Sequence, residues 1–149
     1  MLRPLGFLSR PFDFLAALLS FFVGLLGFLN SAWPPAEFGT WGWILVVEDA
    51  YLLAGGMVVM TSLWMRELFP MVITKAMFVW SVVAEMFAWF FIAWASLTIS
   101  FSAWWLPEAA VRINADDTVI IMWSIIWFFV AVASMIRFRD LRQSYRGRR

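Results

Sequence analysis

Four long apolar runs, at about residues 12–30, 41–65, 76–99 and 119–136, constrain this chain more than any other feature. A hydrocarbon core about 30 Å thick is crossed by ~20 consecutive apolar helical residues, and each run has that length. The runs are continuous and do not alternate between polar and apolar residues, which predicts helices and not barrel strands. The expected fold is all-α, a polytopic transmembrane four-helix bundle forming one domain over residues 1–149, with 137–149 as a basic tail. Composition agrees: 64% of residues are hydrophobic and only 14% are charged.

Basic residues orient the spans. Arg3 and Arg10 precede the first run, Arg66 and Lys75 lie between the second and third, and Arg137, Arg139, Arg142, Arg146, Arg148 and Arg149 follow the fourth. Ten of the eleven positive charges therefore fall on one side, with Arg112 the exception. The positive-inside bias makes that side cytoplasmic, so both termini are expected in the cytosol. Arg3 and Arg10 would also suit a secretory signal peptide. Against this, the run is long for such a segment and Asn30-Ser31-Ala32 is a poor cleavage site, so the first run is read as a span.

Tryptophans mark the expected interfaces. Trp33, Trp41, Trp43, Trp104 and Trp105 cluster at the outer ends, and Trp64 and Trp80 mark the inner belt. Trp89, Trp94, Trp123 and Trp127 lie deeper and are read as packing residues. In the outer segment before the fourth run, Pro107 and Glu108 suggest a short interfacial helix. Asn114 or Asp116 is the expected N-cap of the fourth helix. The arginine-rich tail is read as a topology anchor that attracts anionic lipid, with no role in nucleic-acid binding.

Lipid gives helices no hydrophobic reason to associate, so small residues indicate contact faces. Ala17, Ser20, Gly24 and Gly27 form one such stripe, Gly55 and Gly56 another, and Ser81, Ala84 and Ala88 a third. These faces serve packing within the chain or between copies.

Three acids stand inside the apolar runs: Glu48 and Asp49 in the second, and Glu85 near the middle of the third. Each costs about 2.5–3.5 kcal/mol near a span centre. The nine Ile, Leu and Val residues of the second run return ~0.3–0.6 kcal/mol each. That helix is therefore marginal alone and inserts as a hairpin with a neighbour. No Lys or Arg lies within any of the four runs, so the acids are expected to lack a basic partner within one subunit. Ser20, Tyr51, Ser81 and Ser124 are the candidate hydrogen-bonding partners.

With neither cysteine nor histidine, the chain lacks thiolate chemistry, disulfides, the usual zinc sets and the commonest general base. No phosphate-cradling glycine loop or nucleophile–base pair is present, so neither an enzyme nor a cofactor or metal site is expected. The leading expectation is a small non-enzymatic protein of a bacterial cytoplasmic (inner) membrane that oligomerises into a pore or lesion, in the manner of holins. Glu48, Asp49 and Glu85 would line or gate its wet surface. The alternatives are a proton- or ion-coupled transporter or channel using these carboxyls, and an accessory or assembly subunit of a larger membrane complex. The expected partners are the lipid bilayer and either further copies or another membrane protein.

Overall fold

The computed structural model describes residues 10–31, 42–68, 74–105 and 117–146. These form four helices: α1 (Pro11–Ser31), α2 (Gly42–Leu68), α3 (Lys75–Trp105) and α4 (Asp117–Arg146). Each is long and apolar enough to cross a membrane. The protein is thus an all-helical, multi-pass membrane-type bundle.

Local chemistry sets several helix ends. Pro11 opens α1 with its φ already helical, and Asp13 places a carboxylate in the positive first turn. Thr74 caps α3, its Oγ1 accepting from the Met77 amide at 3.3 Å. The expected N-caps Asn114 and Asp116, the Pro107–Glu108 segment, Trp33 and Trp41 lie outside the described residues, as do the side chains of Trp104 and Trp105.

Buried positions recur at alternating steps of three and four. On α1 they are Asp13, Ala17, Ser20 and Gly24; on α4, Ser124, Trp127, Ala131 and Ser134. A repeat averaging 3.5 residues keeps one face inward only if the helices wrap with a left-handed twist. α1 packs on α2, α2 on α3 and α3 on α4, while the remaining pairs barely approach one another. The described helices thus pack in the order α1–α2–α3–α4, and α1 meets α4 mainly through side chains, the Asp13–Arg137 pair among them.

α3 and α4 are longer than their apolar runs predict. α3 continues to Trp105, and α4 runs through the basic segment to Arg146 instead of stopping near Ile136. The reason is mutual packing. Leu141 is buried in the same apolar cluster as Val82, and the Phe138 ring lies 5.7 Å from that of Phe90. Part of the arginine-rich tail is therefore helix with one apolar edge.

Candidate functional site

The densest chemistry lies at the end of the bundle where α1 begins and α2 ends. Arg10 precedes α1 and Asp13 stands in its first turn; Arg66 is in the last turn of α2. These residues converge on Glu85 of α3. The Arg66 Nη2 donates to Glu85 Oε2, Arg10 Nη2 lies 3.0 Å from Oε1, and Trp89 Nε1 donates to Oε1 at 3.1 Å. Arg10 Nε also pairs with Asp13, whose other oxygen accepts from Arg137 Nε of α4 at 2.6 Å. One chain of charges, Arg137–Asp13–Arg10–Glu85–Arg66, thus touches all four helices. Glu85 is fully enclosed, while the Arg137 side chain is 37% exposed.

For Glu85, this layer corrects the expectation that the intramembrane acids lack a basic partner. Arg10 and Arg66 flank their own spans, but an arginine side chain reaches several ångströms along or across a bundle. Glu85 stands inside the apolar stretch of α3, yet it meets the charged ends of α1 and α2. It shares a level, within a side-chain length, with the charged ends of α1 and α2. From that level Arg10 to Leu29, Arg66 to Trp43, Glu85 to Trp105 and Arg137 to Asp117 each rise about 28–35 Å, close to one hydrocarbon thickness. Lys75 lies ten residues before Glu85, so α3 projects about 15 Å beyond the layer in the other direction. Hydropathy alone hides this offset, because the projecting turns carry Met77, Val79 and Trp80.

The Glu85 carboxyl is held by Arg66, by the nearby Arg10 guanidinium and by the Trp89 indole N–H. Replacing it by an uncharged residue would strip the buried Arg66 of the Glu85 anion and leave Arg10 to Asp13 alone, which costs about 3–5 kcal/mol. The layer therefore behaves as an electrostatic clasp on the four helices.

Glu48 and Asp49 occupy a different region, toward the opposite end of α2. Both are buried, and Asp49 faces α1. A methyl group added to Gly27 would collide with the Asp49 carboxylate, and one added to Gly24 would stand 2.6 Å from the Asp49 carbonyl oxygen. On α2, a methyl at Gly56 would lie 2.5 Å from the Ala17 carbonyl. The glycines let the two backbones touch. Gly55 turns the other way, toward Ala88 and Ile92 of α3. Asp49 is 17 residues from Arg66, about 25 Å along α2. Buried Leu52, Val59, Leu63, Ile92 and Trp89 fill the space between the two polar regions.

Other expected residues distribute as follows. Ala17, Ser20 and Ala88 are buried, Ser81 is half-buried and Ala84 is exposed, so the third small-residue face does not hold together. Ser20 and Ser81 donate to carbonyls of their own helices, from Ala16 and Phe78, and neither reaches Glu85. Tyr51 packs its ring on Phe91, and the Ser124 carbonyl accepts from Ser100 Oγ at 2.8 Å. Trp89 and Trp127 are packing residues, but Trp94 is 54% exposed and faces outward. Arg139, Arg142 and Arg146 are exposed; Arg148 and Arg149 lie outside the described residues. Sequence reading missed Arg10, Asp13 and Arg66 as site residues. The only available signal was Asp13, an acid beside a basic flank at the edge of an apolar run.

Comparison with protein-family models, with curated proteins and with solved structures finds no match.

Proposed function

We propose that this chain is a non-enzymatic protein of a bacterial cytoplasmic membrane, with both termini in the cytosol, that permeabilises the bilayer after several copies assemble, as holins do. The observation that carries this reading is the inverted polarity of the bundle. Among the described residues, twelve polar or charged side chains are buried, including Glu48, Asp49, Glu85, Ser96, Ser100, Ser124 and Ser134. Outward positions carry large apolar side chains such as Phe12, Leu19, Phe87, Trp94 and Phe129. Parting the α1–α4 seam would unroll the row into a palisade with one polar and one lipid-facing side. Several palisades edge to edge make a wet wall. The single chain described here is then the closed form, held shut by the ion-pair layer.

The transporter reading asks Glu85 to exchange a proton, and the accessory-subunit reading asks it to meet a partner's base. Both Glu85 oxygens are already engaged within the chain, which favours permeabilisation over either.

Inducible expression in bacteria, with membrane potential and growth followed together, tests the proposal. Loss of potential before loss of growth is expected, along with release of a trapped dye from liposomes holding the purified chain. Sustained expression with potential and viability intact overturns it.

A further inference from the structure

The ion-pair layer has donors to spare. Arg10, Arg66 and Arg137 face two enclosed carboxylates, Asp13 and Glu85. A third acid, Asp140, is 3.9 Å from Arg137 Nη1 and is itself 45% exposed, where solvent weakens its hold. Arg66 donates through Nε to the Ser62 carbonyl and through Nη2 to Glu85, yet its Nη1 is buried without an acceptor. Arg10 Nη2 lies near Glu85 Oε1 but lacks the alignment of a hydrogen bond. Buried guanidinium N–H groups without acceptors are costly, and more so beside hydrocarbon.

The position of the layer suggests what would complete it. It lies where the apolar stretches of α1 and α2 end, beside the charged flanks of those two helices. It borders the α1–α4 seam, where few backbone contacts close the gap, and Arg137 is the part-exposed arginine there. Basic clusters between membrane helices suit anionic head groups, and an arginine fork matches phosphate oxygens in pairs.

We infer that the layer is a binding site for a phosphate oxyanion, supplied by an anionic phospholipid entering at the α1–α4 seam, with Arg137 as the outer contact and Arg10 and Arg66 as the inner ones. This differs from the diffuse attraction of the tail arginines, because it needs Arg137 and not the residues after it. It rests only on the chain being embedded in a membrane and stands whether or not the chain permeabilises one.

The test uses the full chain purified in mild detergent and analysed by native mass spectrometry while phosphatidylglycerol, phosphatidylcholine or inorganic phosphate is added. One phosphatidylglycerol per chain is expected, in preference to phosphatidylcholine. Arg137→Gln should weaken its retention about tenfold, the loss of one charge-assisted hydrogen bond. Arg137→Lys should restore part of it. A tail variant with Arg142, Arg146, Arg148 and Arg149 changed to Gln should bind within about twofold of the parent. Circular dichroism of each variant checks that the helices persist. Saturation by inorganic phosphate with the same Arg137 dependence would overturn the lipid as the source of the anion. Absence of retained lipid, or retention that follows the tail and ignores Arg137, would overturn the site.

Discussion

The two polar regions of this bundle solve the same problem in opposite ways. At the end where α1 begins, charged side chains from all four helices meet, and Glu85 is stabilised by opposite charge. Toward the other end of α2, Asp49 lies against Gly27, where the absence of side chains lets α1 and α2 close together. One region is held by long flexible arms and the other by backbone contact. Long arms tolerate small shifts of the helices, whereas contact between backbones does not. The layer is thus suited to be released, and the glycine contact to endure.

The largest effect should come from breaking the layer at its centre. Glu85→Gln leaves Arg10 and Arg66 without their shared anion and should cost about 3–5 kcal/mol. It should be read as a lower melting temperature in detergent or a loss of folded protein in membranes. Replacing the whole group, with Arg10→Met, Arg66→Met and Glu85→Leu together, should recover most of that loss. A triple variant as unstable as Glu85→Gln would mean that the charges are not what binds the helices.

Next in size is the glycine contact. Gly56→Leu pushes a side chain into the Ala17 carbonyl and the Phe21 amide. Neither backbone group can move aside, so about 1–3 kcal/mol is expected from overpacking. A cysteine crosslink between α1 and α2, placed in this otherwise cysteine-free chain, should form more slowly in that variant. An unchanged crosslinking rate would show that the helices are not in contact there.

The smallest effect probes the edge of the layer. Arg137 is partly exposed, so its coupling to Asp13, measured by a double-mutant cycle with Asp13→Asn and Arg137→Gln, should be about 1 kcal/mol or less. A coupling as large as the Glu85 effect would move the centre of the clasp to the α1–α4 seam.

These comparisons also show what the sequence made legible. The four helices follow from run length and continuity. Gly24, Gly27 and Gly56 marked contact faces, but their spacing left open whether the partner was a neighbouring helix or another copy; the structure places α1 against α2 there. The vertical register of the helices was not legible. "SVVAEMFAWFF" is apolar on both sides of Glu85, so the run alone centres that acid in the bilayer. Its register against α1 and α2 is set by which of their residues stand beside it, a tertiary fact. Arg10 and Arg66 were hidden for the same reason. As flanking charges they fully explain topology, and nothing local shows that they turn inward. The extension of α4 through the arginines depends on Phe138 and Leu141 finding α3, which their spacing hints at but basic neighbours obscure.

The pair between Asp13 and Arg137 joins residues 124 positions apart, one near the start of the chain and the other near its end. During synthesis, the first helix reaches the membrane long before the residue that secures it has been made. Until Arg137 has been made, that pair cannot form. A message cut short ahead of Arg137 would yield a product with Asp13 missing its Arg137 partner, which gives quality-control proteases a chemical mark of incompleteness.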